Sequence, residues 1–162
     1  MLHINILCVG TLKEAYWRDA CGEYAKRLQA SCRFTVTEVR ESRLPASYSD
    51  ADIAAVIAGE GDRLLRELDK YPGSYVIALC IEGRELSSEQ LSGTLARAAL
   101  NGKSRVDAVI GGSYGLSDAV KARADLRLSM SPMTFPHQLA RVMFCEQLYR
   151  AFSIQAGTRY HK

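Results

Sequence analysis

Short apolar runs alternate along the chain with segments whose apolar positions recur at helical spacing. The runs are apolar throughout or alternate with polar residues, and glycine, proline or polar residues end each one, which is typical of strands. Strands are predicted at residues 3–9, 33–39, 75–81, 105–110 and 126–130. Helices are predicted at about 14–29 and 51–70, between Ser87 and Asn101, over a short stretch from Ser117, and at about 137–154. The alternation predicts one α/β domain, residues 1–162, with a mostly parallel sheet.

Two of the predicted helices carry local signals that bear on their strength. Ser87 is followed three residues later by Gln90, a pairing that forms a capping box at a helix N-terminus. Gly59 and Gly61 lie inside the 51–70 segment. They are expected to weaken that helix, because glycine disfavours helical backbone.

Three of the predicted strand ends are chemically distinctive, and all three lie in the second half of the chain. They are Ile81-Glu82-Gly83, the glycine run at 111–115 and the loop at 130–137. Ligands of open α/β sheets bind beyond the C-terminal ends of the strands. The functional site is therefore expected within about residues 75–162.

The glycine run "IGGSYG" directly follows a predicted strand. It is not the dinucleotide fingerprint, because Ser113 stands where that pattern needs glycine, and no Gly-Lys-Ser/Thr closes it as in a phosphate loop. Two adjacent glycines do present a bare backbone that a flat ligand can approach closely. A tight strand-to-helix turn without a ligand is the alternative.

The loop at 130–137 is bounded by two prolines. Pro132 and Pro136 fix their own φ angles and restrict the residues before them, so the loop is stiff and its backbone polar groups point in set directions. Met130, Met133 and Phe135 add apolar walls. Beside the glycine run, such a loop suits an adenine ring; alone, it could be a turn.

The last predicted helix carries apolar residues on nearly every side. Phe144 and Leu148 fall on one side, Leu139, Met143 and Ile154 on another, and Val142 on a third. Such a helix must be buried nearly all round. In so small a domain, we expect one of its faces to meet a second copy of the chain in a two-fold homodimer.

Composition indicates a globular protein and excludes several classes. Apolar residues make up 48% and charged residues 24%, no apolar run approaches the roughly 18 residues of a membrane span, and the N-terminus has the pattern of a strand rather than a leader. A cytoplasmic location is expected, with no membrane contact. The net charge of +3 is too small to indicate nucleic acid by itself, although seven Lys/Arg against three Asp/Glu follow position 117.

The five cysteines, at positions 8, 21, 32, 80 and 145, are widely spaced and form no CxxC pair. Disulfide frameworks and zinc sites use paired or closer spacings, so neither a disulfide nor a metal site is expected. Buried reduced thiols that pack as small apolar side chains are the expected role.

Long ordered motifs give the chain a family resemblance. The opening "INILCVGTLKEAYW", then "IGGSYGL", then "LSMSPMTFPHQLARVMFCEQLYRA" and the terminal "GTRYHK" resemble the ribosomal RNA large subunit methyltransferase H family of the SPOUT superfamily. The resemblance covers essentially the whole chain. It implies a homodimer with a deep trefoil knot in its C-terminal half, which ordinary chain rules would not predict.

The resemblance also implies an activity and a cofactor site. Members of the family use S-adenosyl-L-methionine to methylate N3 of a pseudouridine in 23S rRNA of the assembled ribosome. Matching motifs assign the cofactor to a set of residues in the second half of the chain. These are Leu79, Gly111, Met130, Ser131, Pro132, Met133, Thr134 and Phe135.

Candidates for catalysis and RNA contact lie on the last helix and the tail: His137, Arg141, Arg150, Tyr160 and His161. Removing the N3 proton needs a base or a group that stabilises the anion, and no residue is assigned as the base. His137 could equally be structural. Arg150 could pair with Glu146 one helical turn away. Without the resemblance, Tyr160 and His161 would be a frayed terminus.

Two other functions compete with the methyltransferase. One is a ribosome-associated factor that keeps the fold but has lost the cofactor, against which the intact glycine run and proline loop argue. The other is a thiol enzyme using Cys145 and His137. The second is disfavoured, because eight residues along one helix separate that pair by about 12 Å.

Overall fold

The computed structural model describes residues 1–162 and contains a five-stranded sheet. The strands are β1 (His3–Val9), β2 (Arg33–Val39), β3 (Tyr75–Glu85), β4 (Arg105–Ile110) and β5 (Leu126–Ser129). Their order in the sheet is β2-β1-β4-β3-β5, and every pair of neighbours is parallel. The helices are α1 (Ala15–Leu28), α2 (Asp50–Asp69), α3 (Ser88–Leu100), α4 (Asp118–Arg123) and α5 (His137–Gln155). The predicted α/β class and parallel sheet are confirmed, and most element bounds agree within one or two residues.

Helices cover both faces of the sheet, which explains why a central strand such as β1 is apolar nearly throughout. Along β1, Ile4 and Ile6 face a core shared with α5, whereas Leu7 and Val9 face a second core shared with α2. All four side chains are buried. Since neighbouring strand residues point to opposite faces, a strand covered on both sides needs an apolar residue at nearly every position.

Strand β3 is longer than the predicted 75–81. Leu79 and Arg84 both align with Leu128 of β5, so the residues between them form a bulge and the strand resumes to Glu85. A Cβ on Gly83 would lie 2.7 Å from the Leu128 carbonyl carbon, so only glycine fits there. Ile81-Glu82-Gly83 is thus a bulge, not the end of a strand.

The two glycines predicted to weaken α2 do not interrupt it. Gly59 and Gly61 lie inside an unbroken helix that begins with a complete capping box at Ser49. A Cβ on Gly61 would lie 2.9 Å from Cβ of Ser117, the N-cap of α4. The glycine therefore lets the two helices approach closely, and tertiary packing offsets its low helix propensity.

Within one chain, α5 is buried along one face only. Phe144, Leu148 and Ala151 have no exposed surface. Leu139 and Met143, on another side, are half-buried. The expectation of burial all round is thus met in part. No helix of the protein is long and apolar enough to cross a membrane.

Candidate functional site

A cavity of about 760 Å³ lies beyond the C-terminal ends of β4 and β5 and beside the bulge of β3. Its walls come from residues 79–82, 110–116 and 128–140, which include the three segments that the sequence singled out. Seven of the eight residues assigned to the cofactor line it: Leu79, Gly111, Met130, Ser131, Met133, Thr134 and Phe135. Pro132 lies in the same loop but does not line the cavity.

The glycine run folds into a tight turn with a bare inner side. The Gly115 N–H donates to the Gly112 carbonyl at 3.1 Å, and Gly115 adopts a left-handed φ of +83°. A Cβ on Gly111 would lie 2.7 Å from the Gly115 carbonyl carbon. The run is therefore a tight turn that also forms part of the cavity wall.

Side-chain hydrogen bonds brace the proline loop from within. The Ser129 hydroxyl donates to the Ser131 carbonyl, and the Ser131 hydroxyl accepts from the Met133 N–H, each at 3.0 Å. The backbone N–H groups of Thr134 and Phe135, by contrast, have no partner within the chain. A rigid loop with free donors can bind a ligand at little cost in ordering entropy.

Few charges face the cavity. Lys121 and Glu82 pair with each other, and the bond from Lys121 lowers the pKa of Glu82. Burial lowers the pKa of His137, the first residue of α5, so its imidazole is neutral at neutral pH. Half of the lining residues are hydrophobic. The volume and largely neutral walls fit an adenosyl group, because small-molecule sites span about 300–1,000 Å³ and are mostly apolar.

The other predicted catalytic residues form a second cluster at the far end of α5. Glu146 accepts from Arg150 at 2.5 Å and from the Tyr160 hydroxyl at 3.1 Å, and the Arg150 guanidinium lies 4.8 Å from the centre of the Tyr160 ring. His161 contacts Glu89 of α3 at 2.7 Å. The tail is therefore docked rather than frayed, and the Arg150–Glu146 pair is present.

The two clusters do not meet within one chain. Thirteen residues of helix separate His137 from Arg150, which corresponds to about 20 Å along the axis. Arg150, Tyr160 and His161 do not line the cavity.

The thiol alternative finds no support in the geometry. Cys145 is fully buried, and a hydrogen bond with Cys21, together with burial, raises its pKa far above the usual range. His137 instead faces the cavity. Cys8, Cys32 and Cys145 pack in the core as expected, whereas Cys21 and Cys80 are only half-buried. No group of three or more His, Cys, Asp or Glu side chains is placed to hold a metal ion.

Two buried charged residues belong to the surroundings of the cavity. Arg141 was a candidate, but it is 2% exposed and bonds to Glu38 and to the Gly10 carbonyl instead of facing the cavity. Glu60, in the middle of α2, lies against the back of Gly112. Sequence reasoning missed Glu60, because one carboxylate in a polar helix gives no local signal.

Known proteins with similar sequences and folds carry methyltransferase names. A family model described as "Predicted SPOUT methyltransferase" matches residues 2–161. Proteins named "Ribosomal RNA large subunit methyltransferase H" from Bacillus pumilus and Bifidobacterium animalis subsp. lactis are 47% and 48% identical over 161 residues, which is 99% of this chain and 100% of each relative.

Solved structures with low sequence identity share the fold. A probable methylase family protein from Haemophilus influenzae superimposes with a TM-score of 0.55 at 14% identity over 98% of this chain and 70% of its own. The tRNA (m1G37) methyltransferase from Aquifex aeolicus does so with a TM-score of 0.53 at 13% identity, over 92% of this chain and 69% of its own. With the full-length sequence matches, these similarities show that the chain belongs to the SPOUT methyltransferase family, in its ribosomal RNA large subunit methyltransferase H group.

Proposed function

We propose that the protein transfers a methyl group from S-adenosyl-L-methionine to N3 of a pseudouridine in 23S rRNA. The observation that carries the proposal is the cavity itself, in which a glycine-rich turn and a braced proline loop meet at the C-terminal edge of the sheet. The names of the full-length relatives supply the ribosomal RNA substrate. The fold follows the family as a single SPOUT domain with a deep trefoil knot in its C-terminal half.

The cavity residues hold and align the donor. When bound, S-adenosyl-L-methionine supplies a methyl group already activated by its sulfonium. Gly111 lets the turn close against Gly115 and so shapes the cavity wall, while Thr134 and Phe135 offer free N–H donors from a stiff loop. Holding two reacting atoms in line can lower a barrier by roughly 7–11 kcal/mol.

The proton on N3 must also be removed before or during methyl transfer. His137 lines the cavity with its pKa lowered by burial, so it is a neutral group that can accept a proton there. Arg150, Tyr160 and His161 are proposed to contact the RNA, with the guanidinium near phosphate or developing negative charge and the ring available to stack on a base.

A homodimer is proposed on the half-buried face of α5. Leu139, Val142, Met143 and Ile154 retain exposed surface while the opposite face of the helix is fully packed. In a dimer formed through this face, the tail that lies near a given cavity can belong to the other copy of the chain.

The assembled ribosome in the cytoplasm is the proposed substrate. A net charge of +3 gives few phosphate contacts, which set affinity for free RNA. A ribosome presents a preformed surface that compensates. Efficient methylation of isolated rRNA would contradict this part of the proposal.

A Gly111→Val variant tests the donor site. Valine would press branched methyl groups into the Gly115 backbone, already 2.7 Å from an ideal Cβ, so the turn must open and the cavity deform. We expect donor binding by calorimetry to be lost, and methyl incorporation into ribosomes that carry the pseudouridine to fall about 100-fold or more.

Gly22→Ala is the matched control, because nothing lies within 4 Å of a Cβ there and alanine favours the α1 helix. Undiminished activity of Gly111→Val would move the donor elsewhere. A wild-type protein that does not bind S-adenosyl-L-methionine would instead indicate a non-catalytic ribosome-associated factor.

A further inference from the structure

A second pocket of about 300 Å³ adjoins the large cavity. Ser113 and Tyr114 of the glycine run line both spaces. Its other walls come from the loop after β2, at positions 41–44, and from Val56 and Glu60 of α2. The two spaces therefore adjoin each other at Ser113 and Tyr114.

Glu60 is an unusual group to find in this wall. Its residue is 3% exposed, and its Oε1 accepts the Ser42 N–H at 3.0 Å. Its Oε2 has no hydrogen-bond partner and lies against Gly112, where a Cβ would sit 2.9 Å away. A carboxylate can accept about four hydrogen bonds, so most of the capacity of Glu60 is unused, and leaving a buried acceptor unpaired costs stability.

The remaining wall groups indicate what would bind. Glu41 and Glu60 offer acceptors for N–H groups, Ser42 offers a hydroxyl, and Tyr114 offers an aromatic face. Arg43 adds a cation at the exposed side of the pocket, suited to a phosphate. This combination matches a nucleotide whose base carries N–H groups, since unstacked bases in RNA are bound by stacking and by bonds to their edges.

One residue of the second pocket also affects the pKa of His137, which lines the large cavity. Glu41 raises the pKa of His137, opposing the effect of burial, so its charge is felt at the cavity wall. A base held in the second pocket would therefore lie beside both the donor cavity and the candidate proton acceptor.

We propose that this pocket receives the base being methylated, and that Glu60 accepts the N1–H of pseudouridine. The inference rests on the proposed function. In pseudouridine, N1 and N3 flank the same ring carbonyl, so a base bound beside Ser113 and Tyr114 with N3 toward the donor cavity can present N1 to the pocket wall that carries Glu60. Uridine carries its sugar on N1 and has no proton there, so Glu60 would distinguish the two bases.

The test compares methyl transfer to ribosomes with pseudouridine and with uridine at the target position. Wild type is expected to favour pseudouridine, and Glu60→Gln to reduce that preference about tenfold or more, because the amide replaces a charged acceptor. Calorimetric affinity for S-adenosyl-L-methionine should stay within about twofold of wild type. Glu67→Gln, the same change at a half-buried position of α2 that does not line either pocket, is the matched control and should keep the full preference.

A second variant leaves Glu60 intact. Leu44→Phe adds volume to a half-buried side chain that lines only the second pocket, so methyl transfer should fall about tenfold while donor affinity is unchanged. If either variant weakens donor binding instead, the pocket holds the amino-acid end of the donor and the proposal is wrong. An unchanged preference in a folded Glu60→Gln protein overturns it as well.

Failure of the proposed function gives a different result. Wild type would then transfer no methyl group to either kind of ribosome. Equal wild-type transfer to both kinds leaves the methyltransferase standing and overturns only the base-reading role of Glu60.

Discussion

The two ends of α5 are surrounded by different kinds of chemical groups. At its N-terminal end, the cavity is walled by glycine backbone, braced loop and apolar side chains, with one ion pair and one neutral histidine. At its C-terminal end, Arg150, Glu146 and Tyr160 form a network of charged and polar side chains on a surface. A backbone-built cavity suits a small ligand of fixed shape, whereas long paired side chains suit a partner that can displace them.

The separation of these two ends bears on how the protein works. About 20 Å of helix keeps them from acting on one atom within a chain. The half-exposed face of α5 lies along the same helix. In the proposed homodimer, the tail of one copy would be free to approach the cavity of its partner.

The largest expected effect comes from Arg141, which anchors the cavity end. Its guanidinium donates to Glu38 at 2.7 Å and to the Gly10 carbonyl at 3.0 Å, so it ties α5 to the ends of β1 and β2. Arg141→Leu leaves both acceptors unpaired. We expect a loss of about 3 kcal/mol in the free energy of unfolding, measured in urea, because breaking a buried pair typically costs 3–5 and Glu38 is partly hydrated.

The Arg141→Leu variant should affect the two ends of α5 differently. Hydrogen exchange should quicken in the first turns of α5 and donor affinity should fall, while protection near Arg150 stays unchanged. Arg27→Leu is the control, since its exposed pair with Glu23 contributes little to stability. Equal losses in the two variants would show that the Arg141 anchor is dispensable.

The tail end gives the next effect. Arg150→Ala removes the guanidinium that contacts Glu146 and the Tyr160 ring, far from the cavity. We expect methyl transfer to fall about tenfold to 100-fold with donor affinity unchanged. Mixing this chain with Gly111→Val chains should restore part of the activity if the tail serves the partner's cavity, and should restore none if each chain works alone.

Much of the fold was predictable, because the way in which a strand is buried leaves a recognisable pattern in its own sequence. The limits of β1, β2 and β4 matched at both ends, because β1 and β4 are nearly continuous apolar runs that glycine ends, whereas β2 alternates as a half-exposed strand does. The order of the strands had no such pattern. Neither did the continuation of β3 past Gly83, which depends on how closely β5 approaches.

For the candidate site, the parts formed by contiguous motifs were predictable and the parts formed by distant residues were not. The glycine run and the proline loop are contiguous motifs, so sequence could place them at one edge of the sheet, and the structure brings them together. The docking of the tail depends on Glu146 and Glu89 from two helices, and the position of Glu60 depends on α2 packing under Gly112. Such contacts join residues far apart in sequence, and local patterns do not encode them.

The smallest expected effect concerns Glu60, an unpaired charge at the cavity end, in contrast to the paired charges of the tail. Burial is the main cause that raises the pKa of Glu60, and Glu41 adds to it, while the Ser42 N–H and Arg63 oppose it. A raised pKa means that the folded protein holds this proton more tightly than the unfolded chain. Glu60 therefore contributes stability below its ordinary pKa of about 4.5 and loses it as pH rises through the folded value.

Glutamine does not titrate, so the stability of Glu60→Gln relative to wild type should increase with pH across that window. Melting temperatures of both proteins from pH 4 to pH 7 would measure it, and subtracting one from the other removes the acids they share. A flat difference would mean that folding does not shift this pKa, and a difference that falls with pH would mean that the folded protein stabilises the anion; either result contradicts the prediction. Together with a loss of base preference, a rising difference would mean that Glu60 is kept at a cost to stability, which is expected of a group that awaits a ligand.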